Sequence, residues 1–473
     1  HRSGHSFPTR RSSDLQNLTN MKNKFPNDFF WGTATASYQI EGATDKDGKS
    51  KSIWDTFTHT PGKVKNNENG DTAVDHYHRY EEDIELMANI NLNSYRFSLA
   101  WTRIIPEGIG KINPKGVDFY SRLIDKCLEN NIEPFITLYH WDLPQSLQDK
   151  GGWANRDITN IFSDYSEAIV KNFGDRCNHF ITFNEPQVFT IHGYVDGYMA
   201  PGYKDLEKYF ASIHNVNVAH GKAFQAMKSL NNNIKIGCTL NMAPCIPATK
   251  SSEDLHATKL FDTYWNRSFA DPMYLGRYPE LLIDDVSKHI QQDDMKNIFQ
   301  KNDFIGLNHY QHIRIKADNK SLLKARGAFN DELPFGLQDK ETKLTLMGWE
   351  IVPDAYYDQI MDLKNNYGNP DIYLTENGAA YPDLIEKNGE INDSDRIDYF
   401  KKYLSAVKKS IDDGAKVKSY FAWTFMDNFE WALGFEKRFG IVHVDFKTLK
   451  RTPKKSYYFF KKLVEQNSIP FDF

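Results

Sequence analysis

Two glutamates in this 473-residue chain stand where the local pattern makes them candidates for chemistry rather than for surface charge. Glu185 follows Phe180, Ile181, Thr182, Phe183 and Asn184, aromatic and β-branched residues suited to a strand, and precedes Pro186, which cannot donate to a sheet ladder and so closes it. Glu376 ends a second run of the same form, Ile372-Tyr-Leu-Thr-Glu, before Asn377 and Gly378 turn the chain. In a parallel α/β barrel catalytic groups project from the C-terminal ends of the strands, so two such glutamates can face one pocket although distant in sequence. A carboxyl pair held roughly 5 Å apart can cleave a glycosidic bond with retention, one protonating the leaving oxygen while the other attacks the anomeric carbon. The competing reading is that each glutamate caps the helix after its strand, which is natural for one but strained for two in otherwise apolar strands.

Other strand ends are similarly polar and aromatic. They include Ser37-Tyr-Gln39-Ile-Glu-Gly, Leu138-Tyr-His140-Trp, Leu307-Asn308-His309-Tyr310 and the run from Trp423 through Asp427 and Asn428 to Glu430 and Trp431. Amides and carboxylates of this kind can pair with sugar hydroxyls, and an indole can cover the apolar face of a pyranose. For His140 alone a satisfied core histidine would be the better reading; in company with the others it becomes a ligand.

The elements that must hold these residues follow from hydrophobic periodicity. Strands are expected at 29–35, 94–101, 133–141, 180–184, 234–241, 304–310, 372–376 and 417–426, with helical spacing at 80–88, 118–129, 158–173, 211–229 and 395–412. Repetition of about eight βα units predicts a closed (β/α)8 TIM barrel, a single domain over 21–473 with long βα loops around the active site. An open doubly wound sheet is the alternative, but no Gly-rich GxGxxG follows the first strand. The connections 241–304 and 310–349 read as long, polar and irregular in places, and both leave strand ends where they would shape a substrate entrance. Residues 1–20 are polar and Arg/Ser-rich without the apolar stretch of a secretory signal. They are read as a non-native or disordered tail outside the fold, with Met21 as the expected start.

Composition narrows the partners. A hydrophobic fraction of 40% supplies an ample core, no run is long enough to span a membrane, and a net charge of −5 with dispersed Lys and Arg offers no basic face to nucleic acid. The expected partner is therefore a small molecule, and composition is silent on a homo-oligomer. Aromatic residues make up 14% of the chain, which serves core packing and sugar stacking alike. Cys127, Cys177, Cys238 and Cys245 form neither a CxxC pair nor a dense framework; they read as reduced core thiols, which favours the cytoplasm. His76 and His78 are two apart and would not share a helix face, and the Asp45-Lys-Asp47-Gly48 run lacks the closing glutamate of a calcium loop, so no metal and no cofactor is expected.

Three motifs make the pattern specific: Phe-Phe-Trp-Gly-Thr-Ala-Thr-Ala-Ser-Tyr-Gln-Ile-Glu-Gly at 29–42, Thr-Phe-Asn-Glu-Pro at 182–186 and Leu-Thr-Glu-Asn-Gly at 374–378. With them the chain resembles the β-glucosidases of glycoside hydrolase family 1 from about residue 25 to the C-terminus. The resemblance implies Glu185 as acid/base and Glu376 as nucleophile. It further implies Gln39, His140, Asn184, Glu430 and Trp431 as hydrogen-bonding partners of the glycone, with Asn184 at the 2-hydroxyl, Trp423 as stacking floor and Trp349 as aglycone platform. Tyr310 and Arg96 would keep Glu376 ionised, with Asn308 and Phe439 in supporting positions. Members of the family specific for 6-phosphosugars carry Ser, Lys and Tyr where this chain has Glu430, Lys437 and Phe439. Only the lysine is shared, so an unphosphorylated β-glucoside is the expected substrate. The runner-up functions are a 6-phospho-β-glucosidase and a carbohydrate-binding protein that has lost turnover. Glucose, galactose and fucose are left undistinguished, since Gln39 and Glu430 can accept either epimer at the 4-hydroxyl.

Overall fold

The computed structural model describes residues 23–329, 334–336 and 342–473; the expected tail and Met21 lie outside the described residues. Eight parallel strands close into a barrel in chain order: β1 (Phe30–Ala34), β2 (Ser94–Ser98), β3 (Glu133–Tyr139), β4 (His179–Asn184), β5 (Lys235–Asn241), β6 (Phe304–Asn308), β7 (Ile372–Asn377) and β8 (Val417–Trp423). Strand β1 pairs with both β2 and β8, so no sheet edge is left in the barrel. The closed ring excludes the doubly wound alternative.

Between the strands lie the expected amphipathic helices, His76–Asn89, Pro114–Glu129, Ile158–Phe173, Leu206–Leu230 and Ser394–Asp412. Pro114 sits in the first turn of its helix, where its missing N–H is no loss, and Asn113 caps it by accepting from the Lys115 amide. Two further barrel helices fall outside those expected: Pro353–Asn366, where apolar spacing is diluted by charged residues, and Lys455–Gln466, which buries Tyr457, Phe459, Phe460 and Leu463 on one face. The connection 241–304 is more ordered than its polarity suggests, holding helices Ser252–Asp262, Ala270–Leu275, Glu280–Val286 and Asp294–Ile298. Cys245–Pro247, Ile313–Ala317 and Ala325–Gly327 form a small separate sheet beside the barrel mouth.

Four strand expectations overran by two residues or more at the C-terminal end. The chain leaves the sheet after Ser98, Tyr139, Asn308 and Trp423: Trp141 and Tyr310 are apolar for the cavity, Trp101 for packing on Tyr165 and Phe162, and Met426 for the core beside Arg451, none of them for the ladder. Towards the opposite, N-terminal end the interior is filled by aromatic rings: Phe135 stacks on His179 at 4.2 Å and meets Phe421 edge-on at 4.9 Å, with Phe30 and Tyr373 packed around them. Each large apolar side chain buried this way contributes roughly 1.5–3 kcal/mol. Core packing thus explains the aromatic content at one end of the barrel.

His76 is buried with Nδ1 2.7 Å from Asp83, and exposed His78 pairs with Asp75; the two histidines point to different neighbours. Asp47 accepts from the Tyr77 hydroxyl. All four cysteines are unpaired, three of them buried. No helix among the described residues is long and apolar enough to cross a membrane.

Candidate active site

Register brings the polar strand ends to one level. Asn184 on β4 pairs with Thr239 on β5, Asn241 with Asn308 on β6, and Asn308 with Glu376 on β7. The ladder slips between Ile181 and Asn184 and again between Leu374 and Glu376, and irregularities of this kind re-aim side chains beside a site. Gly378 is required here for a simple reason: a Cβ would lie 1.8 Å from the Trp423 carbonyl oxygen, so only glycine lets β8 close against the end of β7. Glu185 takes a left-handed backbone conformation (φ 51°, ψ 61°), and the helix Pro186–Tyr194 begins at once after it. Its carboxylate caps nothing in that helix. Glu376 lies within its strand, and the next helix starts only at Ser394. Helix capping therefore explains neither glutamate.

Both open onto the same cavity, which holds about 900 Å³ of empty space including its mouth. His140, Asn184, Tyr310, Trp349, Trp423, Glu430, Trp431 and Phe439 line it with them, so ten of the thirteen residues singled out in the sequence share one wall. Arg96, Asn308 and Gln39 are fully buried behind that wall.

Arg96 is the hub. Its NH1 donates to Glu376 Oε1 at 2.8 Å and to the Thr375 carbonyl at 3.2 Å, its Nε to Thr137 Oγ1 at 3.1 Å, and its NH2 to Asn184 Oδ1 at 2.6 Å. The other oxygen of Glu376, Oε2, accepts from the Tyr310 hydroxyl at 2.5 Å. Asn308 Nδ2 donates to Glu185 Oε1 at 2.6 Å and to Asn184 Oδ1 at 3.0 Å. A continuous chain of hydrogen bonds thus runs from one carboxyl to the other through Arg96, Asn184 and Asn308. Asn184 spends its Nδ2 on His140 Nε2 at 3.0 Å.

The two carboxyls are in unlike surroundings. Burial, and then the charge of Glu376, push Glu185 up to about 8, against the Asn308 amide, the more distant Arg96 and the Asn241 amide. Burial raises Glu376 as well, but the Arg96 guanidinium, the Tyr310 hydroxyl and Asn308 draw it back. When the pair holds one proton, that proton belongs on Glu185, because Glu376 has the cation and the phenol. Burial and the neighbouring Glu376 also push Glu430 up to about 8.

Around the carboxyls the walls are aromatic. His140 lies nearly parallel to Trp423 (21°, 6.2 Å) and to Trp431 (17°, 6.0 Å), while Trp349 packs 5.0 Å from Tyr310 and 6.0 Å from Phe439. Burial and then Arg96 hold the His140 imidazole well below its ordinary value, so it is neutral. His140 Nδ1, Gln39 Oε1 and Trp349 Nε1 are buried polar atoms without a hydrogen-bond partner among the described residues. Gln39 differs from its expected position on the wall: its Nε2 donates to the Phe429 carbonyl at 2.7 Å, and it also hydrogen-bonds Glu430, so it reaches the cavity through that carboxyl. Lys437 is buried and donates to the Leu346 carbonyl at 3.0 Å.

Several lining residues escaped the sequence reading. Asn241 ends β5 as a polar strand-end residue, the same signal that marked the others, and it hydrogen-bonds Glu185. Trp141 directly follows His140 and donates to the Asn184 carbonyl at 2.9 Å. Val188, His192, Met199, Trp265 and Phe329 come from loops and short helices at the outer mouth, where no periodicity betrays them.

Comparison with known proteins agrees with this geometry. The model for glycosyl hydrolase family 1 matches residues 21–469. The chain is 48% identical over 448 residues to beta-glucosidase A of Acetivibrio thermocellus, covering 94% of this chain and 98% of that protein. It is 46% identical to a 1,4-beta-D-glucan glucohydrolase of Thermotoga neapolitana, covering 94% and 99%. The solved structure of a family 1 β-glucosidase from Thermotoga maritima superposes with a TM-score of 0.88 at 44% identity, covering 94% of this chain and 99% of that one. A family match over nearly the whole length, on a closed eight-stranded barrel with two glutamates at one mouth, has a single meaning: the chain belongs to glycosyl hydrolase family 1.

Proposed function

We propose that this protein is a retaining β-glucosidase, releasing the terminal non-reducing β-D-glucosyl residue of β-glucosides and short β-gluco-oligosaccharides through a covalent glycosyl-enzyme. One observation carries the reading: two glutamates share a cavity in environments that separate their proton affinities, Glu376 beside a guanidinium and a phenol, Glu185 in their absence. Such a pair supplies an acid and a nucleophile at the same pH.

In the first step Glu185 gives its proton to the glycosidic oxygen as the bond to the anomeric carbon breaks, and Glu376 forms an ester to that carbon from the opposite face. The negative charge on Glu376 disappears in that bond; the repulsion that helped raise Glu185 goes with it, and Glu185 can act as base. Water then attacks the anomeric carbon while Glu185 takes its proton and Glu376 leaves. Two inversions give net retention.

The remaining residues are assigned by what they offer. The unpartnered His140 Nδ1 serves hydroxyl recognition, Asn184 the 2-hydroxyl, Trp423 the apolar face of the ring, Glu430 and Trp431 the far hydroxyls, and Trp349 the aglycone, while Gln39 acts from behind the wall through Glu430. Arg96, Tyr310 and Asn308 tune the carboxyls, and Phe439 packs beside Trp349. A 6-phosphate is disfavoured, since a dianion would sit against the buried Glu430 carboxyl, which burial and the charge of Glu376 already push up, while Lys437 donates to the Leu346 carbonyl. Four unpaired thiols suit a reducing compartment, the cytoplasm.

Incubation with p-nitrophenyl β-D-glucoside and its 6-phosphate tests the reading. Release of nitrophenol from the first supports it; release only from the second makes the protein a phosphoglycosidase, and binding without release makes it a carbohydrate-binding protein.

A further inference from the structure

Asn308 is held from both ends. Its Nδ2 donates to Glu185 Oε1 and to Asn184 Oδ1, while its Oδ1 accepts from the Thr375 hydroxyl at 2.7 Å, and Thr375 in turn accepts from the Thr239 hydroxyl at 3.2 Å. Thr239, Thr375 and Asn308 are fully buried inside the barrel. Room for the relay is built into the neighbouring strand: a Cβ at Gly306 would lie 2.2 Å from Thr239 Oγ1.

We propose that the Thr239–Thr375–Asn308 relay decides which oxygen of Glu185 carries the catalytic proton. A hydroxyl offers one hydrogen, so Thr375, accepting from Thr239, gives its own to Asn308 Oδ1 and keeps that oxygen occupied. Asn308 then presents N–H to Glu185 Oε1 in both protonation states of the acid, and a proton on Oε1 would meet that N–H head-on. The proton is thereby kept off Oε1 and left to Oε2. Without the Thr375 hydroxyl only Asn184 Oδ1 still opposes a turned amide, and part of the protonated enzyme lets Oε1–H bond to Asn308 Oδ1, storing the proton on the oxygen that Asn308 holds. Thr375 and Thr239 are positioning residues acting through Asn308, and the inference rests on Glu185 being the acid as proposed above.

The test is Thr375→Val, which removes the hydroxyl and keeps the shape, with Thr375→Ser as the rescue. Substrates are 2,4-dinitrophenyl β-D-glucoside, whose leaving group departs without a proton, and p-methoxyphenyl β-D-glucoside, whose leaving group needs one. General acid catalysis is worth about 10²–10⁴-fold, so a partial diversion of the proton should cost T375V about 10-fold or more in kcat/KM on the methoxyphenyl substrate and about 2-fold or less on the dinitrophenyl one. The alkaline limb of kcat/KM should move to higher pH, since the turned amide stabilises the protonated acid, and Thr375→Ser should restore both the limb and the substrate ratio. Equal losses on both substrates with an unmoved limb would show a merely structural threonine and overturn the proposal. Should T375V fail to fold, Thr239→Val must show the same selective loss in smaller degree, and an unchanged ratio there overturns it equally. Failure of the parent reading looks different: the unmutated protein would release neither phenol.

Discussion

Replacing Tyr310 by Phe removes one oxygen and leaves the ring that packs against Trp349 and Phe439. What is lost is the hydroxyl that donates to Glu376 Oε2 at 2.5 Å. A hydrogen bond to a charged group contributes about 1.5–3 kcal/mol, and one pKa unit corresponds to about 1.4 kcal/mol, so the variant should raise Glu376 by about 1–2 units. The direction follows from the donor: a phenol stabilises the carboxylate, and its removal favours the acid. Arg96 remains on Oε1 and keeps the shift within that range. Glu376 must be ionised to attack, so the acid limb of kcat/KM should move upward by the same amount. The assay is the pH dependence of kcat/KM for 2,4-dinitrophenyl β-D-glucoside over about pH 4 to 9, a substrate whose departure does not need Glu185 and whose acid limb therefore reads Glu376. A folded Y310F protein with an acid limb within about 0.3 unit of the unmutated one would refute the claim that this phenol holds the nucleophile ionised.

With a leaving group that does need a proton, the unmutated protein should lose kcat/KM as pH rises through about 8, the value to which burial and Glu376 push the acid; an alkaline limb near the ordinary carboxylate range would contradict the assignment. Away from the site, Arg451 donates twice to Asp83 and once to the Val74 carbonyl in a fully buried cluster that ties the C-terminal segment to the helix His76–Asn89. Arg451→Met leaves the Asp83 carboxylate buried with only His76, and should cost about 3–5 kcal/mol, read as a clear fall in Tm with cavity chemistry intact; an unchanged Tm would show that the cluster holds nothing.

The sequence and the structure agree most closely where one physical signal dominates. Parallel strands buried on both faces read as apolar runs, and all eight were legible for that reason, down to Glu185 and Glu376 at their ends. The boundaries failed where apolar residues serve something other than the ladder: Trp141 lines the cavity, Trp101 opens a short buried helix and Met426 packs in the core, yet all three look like continued strand. Among the site residues, those that end strands were found and Asn241 alone of that kind was overlooked. His192, Trp265 and Phe329 could not be read, because they reach the mouth from segments whose placement depends on tertiary packing. Nor could the Arg96 hub be derived from local pattern; a lone arginine in an apolar strand signals burial, and its four partners lie on β3, β4 and β7.

Retention requires two carboxyls acting from opposite sides of one anomeric centre. Glu376→Ala assayed with 2,4-dinitrophenyl β-D-glucoside and azide tests that most directly, by the configuration of the product. Turnover should be lost without azide and regained with it as α-glucosyl azide, because the anion enters where the side chain has been removed while Glu185 keeps the other face. A β-glucosyl azide, or full hydrolysis without azide, would contradict the roles assigned to both glutamates.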